Sequence, residues 1–305
     1  MLVQSEAAAK RLDLIKGHLR NNGYRDVNRN LPEEMTSKNV MCPNDGIDTP
    51  ASVYVMKVLT FTHGHEVTVL KQDLTQQANI ERNKGKRKEE DSLKKETDQI
   101  RSALRAKTKV RHTIKMLQAD RLLTLTKRET ENFMSQQQWA DAWKKFCVMT
   151  KKAGYDFAYV AVLEKHKKGN YHLHVALSGR LPVNLIRQIW YSCVGHKMGN
   201  VDISYKHALT KSERINGAAK YISKYITKQL GNSEFNKKKY WSTKSLKPEQ
   251  LRIVVNQTDV LEMYSYICEL LGISQYSNFS SLYVFPEQKG LWFTIDEDMP
   301  CLIVT

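Results

Sequence analysis

The chain has no apolar run approaching the roughly 20 residues that a membrane-spanning helix needs, so the sequence predicts a soluble protein with no membrane partner. It has no CxxC pair either. The five cysteines, Cys42, Cys147, Cys193, Cys268 and Cys301, are scattered, which argues against a zinc knuckle and a disulfide framework and suits a reducing, cytoplasmic compartment. No GxxxxGK[ST] stretch occurs, which excludes nucleotide hydrolysis through a P-loop. The N-terminal MLVQSEAAAKRLDLIKGHL lacks the basic-then-apolar order of a signal peptide and reads as a short amphipathic helix, with no export implied. No internal repeat is visible.

What is abundant is positive charge. Forty-eight Lys plus Arg against 32 Asp plus Glu give a formal net charge of +16, a field that attracts polyanions and raises their encounter rate. Nucleic acid is the leading partner, although an excess of this kind can also simply serve solubility. The 305 residues suit one central core with appended regions, divided as follows. Residues 1–47 are an N-terminal helix and a linker rich in Asn, Pro, Asp and Gly. Residues 48–118 hold a hairpin around His63-Gly64-His65 and then a long, charged, solvated helix or two. Residues 119–245 are the core, and 246–305 a C-terminal extension of mixed character.

The core is the most legible part, because its periodicities switch in a regular order. RLLTLTK (121–127) alternates as a strand. A helix follows over 135–153, with Ser135 and Gln138 in capping-box spacing, Trp139, Trp143 and Phe146 on one face, and Gly154 as a stop. Two strands, 157–165 and 171–178, are joined by the polar loop His166-Lys167-Lys168-Gly169-Asn170. A helix over 181–194 with Pro182 in its first turn, a strand over 201–205 and a helix over 216–230 complete the order βαββαβα. This is an α+β fold with an antiparallel sheet and helices mainly on one side.

Strand side chains alternate between faces, so parity sorts the central hairpin. The odd set, Tyr159, Ala161, Leu163, Leu173, Val175 and Leu177, is apolar and predicts the face on which helices pack. The even set holds Glu164, His172 and His174, with Glu164 directly across from His172, although Val160 and Val162 share that face. Two imidazoles and a carboxylate with open positions suit a divalent cation, Mn2+ or Mg2+, that must still bind a substrate oxygen. Alternating histidines can also be structural or merely exposed. The chain's second H-x-H, His63 and His65, lacks an opposing carboxylate and reads as a turn.

In AAKYISKYITKQ the units Tyr221-x-x-Lys224 and Tyr225-x-x-Lys228 stand back to back. At 100° per residue both phenols and both lysines share one side, predicted to face solvent, opposite a buried stripe of Ala219, Ile222, Ile226 and Leu230. A cation beside a phenol favours the phenolate and stabilises charge developing on a phosphate. Two tyrosines with lysines can equally be plain helix surface.

Taken together, RLLTLTK, Glu164 with His172-Leu173-His174, and Tyr221-Ile222-Ser223-Lys224-Tyr225 resemble the HUH endonucleases, specifically the two-tyrosine rolling-circle replication initiators of single-stranded DNA phages. The resemblance covers roughly residues 110–244. It implies an RRM-like or ferredoxin-like core, a metal held by His172, His174 and Glu164, and Tyr221 and Tyr225 as nucleophiles assisted by Lys224. The implied reaction nicks single-stranded origin DNA through a covalent 5′-phosphotyrosine, in the bacterial host cytoplasm if phage-encoded, with a host helicase and DNA polymerase as partners. Thr124 and Thr126 look like the family's first motif, and Trp241-Ser242 resembles a stretch after the nucleophile helix. Lys228, Thr124, Thr126 and the basic aromatic run Lys237, Lys238, Lys239, Tyr240 and Trp241 are the residues expected to touch DNA. A two-tyrosine transposase or plasmid initiator, a noncatalytic origin-binding protein, and a metal hydrolase with Glu164 as base remain open alternatives.

Overall fold

The computed structural model describes residues 2–21, 23–26, 40–43, 52–73, 92–128, 133–166, 169–205, 207, 209–228, 240–245, 247–255, 260–270, 279–285 and 289–295. It divides into two compact α+β units, Met1–Glu89 with Pro248–Thr305, and Glu90–Lys247.

The first unit carries a seven-stranded sheet. Its strands are β1 (Tyr24–Asp26), β2 (Val40–Pro43), β3 (Ser52–Phe61), β4 (Gly64–Asp73), β10 (Glu249–Val255), β11 (Phe279–Val284) and β12 (Gly290–Ile295), in the order β1-β2-β10-β3-β4-β12-β11. Every neighbouring pair is antiparallel except β2 with β10. The expected hairpin is β3–β4. Its reversal lies at Thr62-His63, and Gly64, with φ +105°, starts the return strand opposite Phe61. His65 is buried, its Nδ1 3.2 Å from the Thr60 hydroxyl, so that imidazole is engaged in packing. Helix α1 (Leu2–Asn21) buries Leu12, Ile15 and Leu19, and α6 (Val260–Leu270) buries Met263 and Ile267, in one core with Met56, Val58, Val67, Val69, Ile253 and Phe293. Two expectations change here. The segment read as linker contains β1 and β2, and the tail is interleaved with the hairpin, since β10 pairs with β3 and β12 with β4. Alternation predicts a strand but carries no information about which distant strand will accept its hydrogen bonds.

The second unit holds a five-stranded antiparallel sheet of β5 (Arg121–Lys127), β6 (Tyr159–Lys165), β7 (Tyr171–Leu177), β8 (Gly199–Ser204) and β9 (Trp241–Ser242), ordered β8-β5-β7-β6-β9. Its helices are α2 (Ser92–Met116), α3 (Gln136–Lys152), α4 (Val183–Val194) and α5 (Lys211–Lys228). The expected capping box forms: the Gln138 amide donates to the Ser135 hydroxyl, and the Ser135 amide donates to the Gln138 side chain. Gly154, at φ +86°, ends that helix. Helix α5 starts more than a turn before the expected Asn216, because Thr210 and Glu213 form a second capping box. The T-x-x-E spacing was there to be read.

Both faces of this sheet are covered, which corrects the expectation of helices mainly on one side. The odd face packs Leu123, Leu125, Ala161, Leu163, Leu173, Val175 and Leu177 against Trp139, Trp143 and Phe146 of α3 and Ile186, Ile189 and Trp190 of α4. Gly199 sits so close beneath Trp190 that an added Cβ would collide with the indole, while that indole donates to the Thr126 carbonyl at 2.8 Å. The even face packs Val160, Val162 and Ala176 against Val110 and Ile114 of α2 and Ala218, Ala219, Ile222, Tyr225 and Ile226 of α5. Helix α2 is therefore not solvated all round: Ala103, Val110 and Ile114 are fully buried. The valines that broke the polarity of the even face are the seat of these two helices.

Candidate functional site

The site forms where the apolar part of the even face gives out, toward the β6–β7 hairpin tip. In the sheet register Glu164 pairs with His172, Val162 with His174, Thr124 with His174, and Thr126 with His172. Paired residues share a face, so both threonines, both histidines and the carboxylate stand together.

His174 is buried and held from both ring nitrogens. Its Nε2 is 2.8 Å from Glu164 Oε2 and its Nδ1 is 3.4 Å from the Thr124 hydroxyl. A neutral imidazole donating from Nε2 and accepting at Nδ1 satisfies both contacts. Burial holds the His174 pKa below the ordinary histidine range despite the opposing pull of Glu164. For Glu164 the balance runs the other way. Burial would raise its pKa, but hydrogen bonds from Lys228 and His174, and their charges, keep it below the usual carboxylate value. Lys228 Nζ lies 2.5 Å from Oε1, so both carboxylate oxygens are engaged.

His172 is half-buried, its ring 6.3 Å from that of His174. Its nearer aromatic neighbour is His166, with centroids 4.0 Å apart, and His166 Nε2 lies 3.8 Å from Glu164 Oε2. The sequence reading assigned His166 to the loop and missed it, although it continues the even parity of Glu164.

The two tyrosines come over this cluster from α5. Tyr225 lies flat on the His174 ring, centroids 4.2 Å apart and planes 7° apart, and Tyr221 meets the same ring edge-on at 5.8 Å. The phenyl rings are 5.2 Å from each other. The expectation that both phenols face solvent is corrected: Tyr225 is buried and Tyr221 half-buried. Helix α5 buries a broad arc against the sheet and α2 rather than a narrow stripe, and the tyrosines lie on its flank beside Ala218 and Ile222. Burial, the adjacent Tyr221 phenol and the Glu164 charge push the Tyr225 pKa well above the ordinary value. Lys224 Nζ sits 4.2 Å from the Tyr221 ring centroid and 4.9 Å from that of Tyr225, and Lys228 Nζ is 5.6 Å from the latter.

A neutral imidazole beside an anionic carboxylate is the protonation state that metal ligation requires. The donor chemistry of His172, His174 and Glu164 thus fits a divalent cation. Among the described residues, however, no three such side chains already converge on a common point, and Glu164 is bound to His174 and Lys228 instead.

The remaining expected DNA contacts are distributed differently. Tyr240 packs partly buried on the even-face core and Trp241 on the odd-face core, with β9 pairing along β6. The two rings are thus part of the packing on opposite sides of the sheet. Lys237, Lys238 and Lys239, like Leu230, lie outside the described residues. Among the described residues no helix is long and apolar enough to cross a membrane.

A family model for the replication-associated proteins of the ORF2 type matches residues 120–230. That stretch runs from the start of β5 through the end of α5 and so includes Thr124, Glu164, His172, His174, Tyr221 and Tyr225. Over it the chain is similar to replication-associated proteins. No curated protein and no solved structure gives a significant match to the chain.

Proposed function

We propose that this chain is a replication initiator that nicks single-stranded origin DNA by tyrosine attack, with the five-stranded unit acting as an RRM-like HUH endonuclease core. The observation that carries this reading is the contact of Tyr221 and Tyr225 with His174, whose ring is itself bonded to Glu164. Two phenols, an imidazole, a carboxylate and two lysines in one contiguous cluster suit phosphodiester transesterification better than a structural role, and the replication-associated match spans all of them.

In this mechanism a tyrosine oxygen attacks the scissile phosphorus in line. The bond to O3′ breaks and O3′ takes up a proton, leaving a 5′-phosphotyrosine and a free 3′-OH that a polymerase can extend. Held by His172, His174 and Glu164, a Mn2+ or Mg2+ ion would polarise the phosphate as a Lewis acid. Lys224, over both rings, favours the phenolate and offsets charge that develops on the phosphate. Tyr221 is the more open of the pair and takes the first attack. Tyr225 then cleaves the regenerated junction, while the released 3′-OH attacks the first phosphotyrosine and closes the displaced strand. Thr124 orients His174 through its hydroxyl. With no P-loop in the sequence, unwinding falls to a separate helicase.

Incubation with circular single-stranded phage DNA and Mn2+, resolved on a denaturing gel, tests this reading. The wild-type chain should remain covalently attached to the 5′ end of a linearised product. Tyr221→Phe should suppress the first nick, Tyr225→Phe should leave it, and the double variant should form no adduct. Persistent adduct in the double variant would remove both phenols from the mechanism, and a free 5′ phosphate in the wild type would instead mark a hydrolase.

A further inference from the structure

Lys228 stands apart from the other charged groups of the cluster. Its side chain is mostly solvent-exposed, at 66%, yet its ammonium closes on a carboxylate that is only 8% exposed. Glu164 therefore has one oxygen fixed by a buried imidazole and the other by a long, surface-anchored cation. A divalent ion that needs Glu164 meets two incumbents. Removing His174 from the carboxylate disturbs a buried ring that is also bonded to Thr124 and stacked on Tyr225. Removing Lys228 requires only rotation of an exposed stem, provided its charge finds another anion. The same ammonium is close to the Tyr225 ring, so it borders the path by which a DNA phosphate would approach the phenols.

We propose that Lys228 is a cation with two alternative partners, Glu164 in the free protein and a backbone phosphate in the DNA complex, and that its transfer couples DNA binding to metal loading. In the first state the ammonium occupies the carboxylate oxygen and adds a positive charge that opposes a second cation. In the second state the phosphate neutralises the ammonium and frees that oxygen. Linkage makes the coupling reciprocal: DNA strengthens metal binding by the same factor by which metal strengthens DNA binding. The inference rests on the metal site of the proposed function, but it is separable from it.

The test is a titration of Mn2+ into the full chain, followed by loss of the free-ion electron paramagnetic resonance signal, with and without saturating thymidine homopolymer, which lacks an origin to be cleaved. For the wild type, the oligonucleotide should tighten Mn2+ binding about tenfold. Lys228→Met keeps the stem and removes the charge. It should bind Mn2+ about tenfold more tightly than wild type without DNA and gain less than about twofold when DNA is added. Lys228→Arg, which keeps the charge, should retain most of the DNA-dependent gain. If Lys228→Met binds Mn2+ no more tightly than wild type, or gains as much from DNA, the exchange does not occur, whatever happens to the metal site. If instead the wild type binds no Mn2+ in either condition, or binding is untouched by His172→Ala with His174→Ala, the metal site itself is wrong and the exchange falls with it.

Discussion

The two faces of the five-stranded sheet are each closed by two helices, yet they do opposite things with nearly the same strands. On the odd face the apolar set is continuous from Leu177 to Leu163, and three tryptophans with Phe146 fill the space above it. On the even face the apolar set stops at Val160, Val162 and Ala176, and beyond it stand Thr124, Glu164, His172 and His174. The difference lies in where the hydrophobic run ends relative to the covering helix. Helix α5 extends past the last valine, so its flank brings Tyr225 and Tyr221 down on imidazole rather than on aliphatic carbon. One face can then tolerate polar, partly satisfied groups because the other supplies the packing.

The comparison is open to direct attack, beginning with the face that should carry stability. Phe146 is fully buried between Trp143 and Trp190, and Phe146→Ala should lower unfolding free energy by about 3–5 kcal/mol in a denaturant titration. A loss below about 1 kcal/mol would mean that the odd face is not the stabilising one. On the other face, His174→Ala should leave the chain folded at a cost of about 1–3 kcal/mol, since it orphans Glu164 from one partner. The same variant should form no covalent adduct on the denaturing gel, and undiminished adduct would separate His174 from the chemistry. The smallest effect is expected at a helix end remote from both claims. Ser135→Ala removes the hydroxyl that accepts the Gln138 amide and should cost about 1 kcal/mol with adduct formation intact.

Much of the site could be read from the chain because β-strand parity is strict. The opposition of Glu164 to His172 follows from the hairpin register, and a one-residue slip would have placed the histidines in the aromatic core. The boundaries of α3 were equally legible, since Ser135, Gln138 and Gly154 are local signals. Tyr225 was harder. Helical periodicity placed it correctly beside Lys224 and Tyr221 but could not say how wide an arc the sheet and α2 would cover. His166 was missed because a polar Gly-containing loop was read as the end of the strand's alternation, whereas its side chain continues it. Trp241 was visible as an aromatic beside a basic run, and its role as an edge-strand residue packed on the core depended on β6 having a free edge.

By itself, the sequence determined the alternation that sorts the hairpin, the capping boxes that open α3 and α5, and the spacing that stacks two Tyr-x-x-Lys units on one helix, all of which are interactions among near neighbours. Tertiary structure decided that β10 and β12 flank the β3–β4 hairpin, that α2 and α5 cover the even face, and that Lys228 closes on Glu164. Those contacts join residues far apart in the chain, and no local pattern encodes which distant surface an apolar stripe or a free ammonium will meet.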